Sequence, residues 1–273
     1  MFSPLLDPAL LHASVDRVKQ RAGTSLTSTL FASPAQIEVW TSSGELSWQE
    51  RVETVLLQKQ DCGFSRLYHV SAGIPPLERA LEEVQSNRPL VVDLIGKRQD
   101  LSPVSCAYHG AGFREHTSMI RMARTGNPLS DGKVETPDEG FATSSDIDLL
   151  HRFFLQFLDP FVDQIPTKGD LMVAVQQRSV LTIRQRQGSG LDAVLVFERR
   201  GLTCLLRYWY VDPALHNRGL GGLLMKRFFS LCDGCRRILL WVVESNQGGV
   251  TKYKHYGFEP DQLTDRILVR RNA

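Results

Sequence analysis

The stretch that decides the fold begins Leu205-Leu206-Arg207-Tyr208-Trp209-Tyr210-Val211, passes Asp212-Pro213, and continues as His216-Asn217-Arg218-Gly219-Leu220-Gly221-Gly222. The first seven residues are mostly apolar and aromatic, which reads as a buried strand. Asp212 and Pro213 end it. After Gly222 the run 223–229 has helical character. A strand, a glycine-rich turn and a helix start together form an anion-binding device. The first amides of a helix have no acceptor inside it and point outward. The helix dipole adds positive potential there, and glycines let an anion approach without a Cβ in the way.

Spacing excludes two common phosphate loops. A P-loop ends in Gly-Lys-Ser or Gly-Lys-Thr, and neither follows Gly221. A dinucleotide fingerprint needs three glycines spaced G-x-G-x-x-G, but Leu224 holds the third position. Downstream, 237–244 reads as the next strand. It leads to Asn246 and then to Tyr253-Lys254-His255-Tyr256-Gly257-Phe258.

These two segments resemble motifs A and B of the GNAT acyltransferase superfamily. Gly219 and Gly221 match the glycines of Gln/Arg-x-x-Gly-x-Gly/Ala, with His216 where Gln or Arg is usual. Asn246, followed by Tyr253-x-x-x-Gly257-Phe258, matches motif B. The resemblance covers roughly the last third of the chain. It implies an α/β fold with a mixed, largely antiparallel sheet flanked by helices, and an acyl-CoA donor, acetyl-CoA first among them. By the same resemblance, the amides of Arg218, Gly219, Leu220, Gly221 and Gly222 hold the pyrophosphate, and His216 and Asn217 are further cofactor-binding residues. The pantetheine arm lies between strands 205–211 and 238–244, against the main chain of Tyr210 and Val211. Asn246 touches the cofactor, Tyr253 is the general acid, and Glu244 is the candidate base. Glu198 and Asp212 are weaker candidates for the base. His216 and His255 flank the motifs.

The pattern repeats earlier in the chain. Tyr108-His109-Gly110-Ala111-Gly112-Phe113 has the Tyr-x-x-x-Gly-Phe form, and Met119-Ile120-Arg121-Met122 parallels Ile267-Leu268-Val269-Arg270. A tandem of two GNAT-like units follows: a degenerate unit over 1–125, a linker over 126–145 and a donor-binding unit over 146–273. The linker is rich in Gly, Pro, Ser and Thr. Where motif A would stand, the first unit has Ser71-Ala72-Gly73-Ile74-Pro75-Pro76, and prolines offer no amide to a phosphate. The expected helices are 8–22, one after Ser47 of the capping-box sequence Ser47-Trp48-Gln49-Glu50, 75–84, and one after Ser144 or Ser145. The expected strands include 36–40, 64–70, 89–95, 119–124, 171–175, 180–185 and 193–198. Gly188-Ser189-Gly190 reads as a hairpin turn.

Composition bounds the remaining choices. The chain has 273 residues, 42% hydrophobic and 23% charged, with net charge +2. No long basic run suggests nucleic acid. No apolar run is long enough to span a bilayer, and the start lacks the features of a signal peptide. The 5 cysteines are scattered, as in a reducing, cytoplasmic compartment. Cys232-Asp233-Gly234-Cys235 is a lone CxxC, without the second ligand pair that zinc needs, so no metal is expected and the segment reads as a turn. The expected activity is transfer of an acetyl group to a primary amine of a small molecule or peptide, by a monomer or homodimer. Two alternatives stand beside it: transfer of an aminoacyl group from charged tRNA, and a non-catalytic acyl-CoA sensor.

Overall fold

The computed structural model describes residues 2–126, 140–184 and 190–271. Most of the expected linker and most of the hairpin turn at 188–190 lie outside the described residues. In chain order the elements are β1 (Ser3–Pro4), α1 (Pro8–Ala22), β2 (Thr27–Ser28), α2 (Pro34–Ser42), β3 (Leu46–Glu50), β4 (Thr54–Gln60), β5 (Ser65–Ser71), α3 (Ile74–Glu82), β6 (Leu90–Lys97), α4 (Ser102–Gly110) and β7 (Arg114–Thr125). There follow α5 (Ile147–Phe157), α6 (Lys168–Gln176), β8 (Val180–Arg184), β9 (Leu191–Arg200), β10 (Thr203–Val211), α7 (Leu220–Leu231), β11 (Arg237–Val243), α8 (Gln247–His255) and β12 (Glu259–Arg270). The protein is mixed α/β, with sheet strands flanked by helices.

By its contacts the chain divides into two compact units: Met1–Met119 with Gln262–Ala273, and Ile120–Asp261. Sequence order had grouped 262–273 with the second half. Backbone pairing groups it with the first, because β12 runs antiparallel to β6 from Leu263↔Lys97 to Arg270↔Leu90. The strands of the first unit follow the order β1-β3-β4-β5-β6-β12. Those of the second follow β7-β11-β10-β9-β8. β5 pairs parallel with β6 and β10 with β11, while β3–β4, β4–β5, β8–β9 and β9–β10 are antiparallel.

Three elements differ from the sequence expectation. Residues 36–40 alternate like a strand but lie in α2. Ser33 Oγ caps that helix by accepting from the Gln36 amide at 3.3 Å, and Pro34 opens it. Ile37 is buried there while Val39 is 63% exposed, so the alternation reflects no sheet face. The capping-box sequence at Ser47 starts no helix. Ser47 pairs with Gln58 and Trp48 with Leu57 in the β3–β4 ladder, and Val55, Leu56 and Leu57 are fully buried. Burial on both faces of the sheet outweighs the local cap signal. Residues 171–175 lie in α6, where Thr167 and Asp170 bond reciprocally across the first turn.

The repeat noticed in sequence is a repeat of geometry. Phe113 N–H donates to the Tyr108 carbonyl at 3.1 Å, and Phe258 N–H to the Tyr253 carbonyl at 3.1 Å. Gly112 and Gly257 both take the left-handed conformation, φ +87° and +79°. In both copies the Tyr and Phe rings meet edge to face. The glycine reverses the chain after the helix, and the two rings pin the reversal.

Candidate acyl-donor site

The site is built from β10, β11, α7 and α8 of the second unit. The β10–β11 register runs from Thr203↔Arg237 to Leu206↔Leu240 and stops there, although β10 continues to Val211 and β11 to Val243. The cause sits in β10: its register to β9 slips between Leu206 and Tyr208, placing a bulge at Arg207. A bulge adds an unpaired residue, bends its strand and increases its twist, so β10 stays on β9 and parts from β11.

The bulge also resets which face each side chain occupies. Leu206, Trp209 and Val211 face the core beneath α7. Tyr208 and Tyr210 face the core beneath α5 and α6, where Tyr210 stacks on Phe157 at 4.7 Å. The Asp212 amide donates to the Asp192 carbonyl at 2.9 Å. Antiparallel alternation then turns the Tyr210 peptide groups towards β9 and those of Val211 towards the open side. Accordingly the Val211 carbonyl meets His216 Nε2 at 3.2 Å.

The helix entrance stands next to this gap. Gly219 is the N-cap of α7 in the left-handed conformation, φ +80°, and it carries no side chain to cap the amides that follow. Asn217 is also left-handed, φ +64°. The first helical bond runs from the Leu223 amide to the Gly219 carbonyl at 3.0 Å. The amides of Leu220, Gly221 and Gly222 therefore precede it, as an anion cradle requires. The two motif glycines serve different needs. A Cβ on Gly219 would meet open space, so backbone conformation alone demands glycine. A Cβ on Gly221 would stand 3.1 Å from Trp209 Cζ2, and Trp209 Nε1 donates to the Gly221 carbonyl at 3.2 Å. Gly221 thus lets the helix seat on an indole, a contact that spacing alone does not reveal. Arg218 is exposed at the turn.

Tyr253 lies on α8 with its ring 5.3 Å from Trp209 and 5.9 Å from Phe258. Burial pushes its phenol above the ordinary range, so it holds its proton at neutral pH. Asn246 is the N-cap of α8, its Oδ1 accepting from the Gly249 amide at 2.9 Å; that role was missed in the sequence. Glu244 is half-buried just beyond β11, and its carbonyl accepts from Gln247 Nε2 at 2.7 Å. The weaker acid–base candidates have other tasks. Glu198 forms a two-bond ion pair with Arg200, and Asp212 caps the turn at Ala214. His255 is exposed against Tyr256.

The corresponding place in the first unit is arranged differently. β5 and β6 pair only at Ser65↔Leu90 and Arg66↔Val91. Buried Tyr108 hydrogen-bonds His69 Nδ1 at 2.9 Å, and His69 Nε2 meets Thr27 Oγ1 at 2.6 Å. Pro75 and Pro76 stand in the first turn of α3.

Comparison with known proteins agrees with this geometry. The family model "Acetyltransferase (GNAT) family" matches residues 183–258. No protein with a curated description matches the chain by sequence. Among solved structures, a tandem GNAT protein from the clavulanic acid biosynthesis pathway is 14% identical with TM-score 0.63, and the alignment covers 99% of this chain and 98% of that one. A GCN5-related N-acetyltransferase from Sphaerobacter thermophilus is 12% identical with TM-score 0.55, covering 99% and 95%. The glucosamine N-acetyltransferase region of a fungal multi-domain GH3 β-N-acetylglucosaminidase is 10% identical with TM-score 0.67, covering 98% of this chain and 38% of that one. At these identities the likeness is one of fold. Residues 183–258 therefore match the GNAT acetyltransferase family, and the described residues have the fold of these tandem GNAT proteins.

Proposed function

We propose that the chain is an acetyl-CoA-dependent N-acyltransferase that acts on a primary amine of a small molecule or peptide. The observation that carries this reading is the parting of β10 from β11 after Leu206, next to an α7 entrance with no side-chain cap. These residues fit a pyrophosphate and an extended arm. The backbone at 218–222 would hold the pyrophosphate, with a charge-assisted contact from Arg218. When bound, acetyl-CoA supplies an acyl group activated as a thioester. The Val211 amide, turned to the open side, donates to the carbonyl oxygen as charge develops on it. Tyr253 gives its proton to the departing sulfur. Glu244 receives the proton of the incoming ammonium, directly or through water. Asn246 holds the entrance of α8 and keeps its Nδ2 for the donor.

In the first unit the prolines of α3 and the Tyr108–His69 bond leave no equivalent cradle, so that unit takes no donor. No helix among the described residues is long and apolar enough to cross a membrane. A reducing, cytoplasmic setting is part of the proposal. The test is isothermal titration of acetyl-CoA into wild type and Gly221→Glu. Micromolar binding by wild type and none by the variant is expected. Equal binding by both removes the cradle.

A further inference from the structure

Cys204, Cys232 and Cys235 are distant or unremarkable in sequence, yet the fold gathers them. Cys204 lies on β10, Cys232 ends α7, and Cys235 begins the return towards β11. All three are free thiols and buried, with 1%, 0% and 4% of their surface exposed. All three belong to one buried core cluster beneath α7. The cluster sits at the opposite end of α7 from the Gly219 entrance, and nothing in the acyl-transfer reading uses it.

Two ordinary explanations fall short. Among the described residues no group of three or more His, Cys, Asp or Glu side chains is arranged to hold a metal ion. Buried cysteine can simply fill space like a small apolar side chain, but filler requires neither a turn that joins two thiols nor an opening beside them. Here the Cys235 amide donates to the Cys232 carbonyl at 2.9 Å, and Gly234 supplies the left-handed residue of that turn, φ +75°. A four-residue turn holds its end Cα atoms within about 7 Å. A disulfide spans roughly 4.4–6.8 Å between Cα atoms. A cleft of about 370 Å³, lined by Gly126, Asp233, Gly234, Cys235 and Arg236, reaches Cys235 from outside. Arg199 Nη2 donates to the Asp233 carbonyl at 3.2 Å, which puts a cation beside the thiols.

We propose that Cys232 and Cys235 form a reversible dithiol–disulfide site, oxidised through this cleft by a small disulfide such as oxidised glutathione. The Cys235 thiolate attacks one glutathione sulfur, the glutathione S–S bond breaks, and one glutathione thiolate leaves. Cys232 then attacks the Cys235 sulfur of the mixed disulfide and expels the second. Two electrons pass from the cysteine pair to glutathione, and the two cysteine protons end on the two released thiols. Burial raises the Cys235 thiol, so exchange is slow near neutrality and quickens in mild alkali.

The site stands independently of acyl transfer, and its test reads bonds alone. The full chain is incubated at about pH 8.5 with oxidised glutathione, denatured in maleimide and digested with trypsin. Peptide 228–236 holds both Cys232 and Cys235, and peptide 201–207 holds Cys204. Exposed Cys62 and Cys106 report in each sample that oxidant was effective. The expected result is peptide 228–236 lacking two hydrogens and unlabelled, restored by reduced glutathione. Cys204→Ser should retain that product and Cys235→Ser should lose it. The proposal fails if 228–236 stays fully labelled while Cys62 and Cys106 carry glutathione. It fails equally if Cys235 stops at a stable glutathione adduct, or if the bond found joins 201–207 to 228–236.

Discussion

Gly221→Ala tests whether the glycine at the α7 entrance exists for the indole beneath it. The added Cβ would lie 3.1 Å from Trp209 Cζ2 and 3.4 Å from Cε2 and Nε1, whereas non-bonded carbons prefer about 3.5–4.0 Å. Trp209 has little freedom to yield. Its Nε1 is tied to the Gly221 carbonyl, and its ring meets Tyr253 and Tyr256 at 5.3 and 5.8 Å. Forcing one methyl into such a contact costs about 1–3 kcal/mol. Alanine returns up to about 1 kcal/mol of helix propensity. With that offset in full, the net expectation is a loss of roughly 0–2 kcal/mol, read by native-state hydrogen exchange of the α7 amides, which reports this unit rather than the whole chain. Trp209→Phe removes the crowding atoms, so a double-mutant cycle should show the two substitutions coupled by about 1 kcal/mol. Gly219→Ala is the control. Its Cβ meets nothing, so only the left-handed backbone, about 1–2 kcal/mol, is lost, with no coupling to Trp209. A cycle for Gly221 and Trp209 that closes within about 0.3 kcal/mol would refute the packing argument.

Tyr253→Phe should lower turnover about 100-fold or more while acetyl-CoA affinity, measured by titration calorimetry, stays unchanged. Unaltered turnover would remove the general-acid role. Burial lowers His69 from 6.5 to about 3, so the unfolded chain binds the extra proton between those values. Its contribution to stability is complete above about pH 6.5 and falls by about 1.4 kcal/mol per unit as pH drops towards 3. His69→Gln should flatten that slope in acid titrations followed by circular dichroism. Asp261 accepts from Arg121 at 2.8 Å and from Arg237 at 2.6 Å. Since both arginines are partly exposed, Asp261→Asn should cost about 1–3 kcal/mol, measured as a fall in unfolding temperature.

What the sequence determined by itself was local. The left-handed glycine before α7, the helix start after it, and the Tyr-x-x-x-Gly-Phe closure are each set by residues a few positions apart. Their geometry follows from backbone conformation and one or two hydrogen bonds. The same locality made the repeat at Tyr108–Phe113 visible and tied it to a second unit. Local signals failed where they competed with burial. The Ser47 capping box yielded to a two-sided sheet, and the alternation at 36–40 yielded to the Ser33 cap. Only the tertiary structure decided the rest, because each feature joins segments that sequence spacing does not relate. The parting of β10 from β11 depends on a bulge that appears only when β9 is in register. The strand at 263–270 finds its partner in β6, about 170 residues earlier. The meeting of Cys204 with the Cys232–Cys235 turn needs a strand and a helix end to be packed into one core, and no property of the three residues taken singly encodes that encounter.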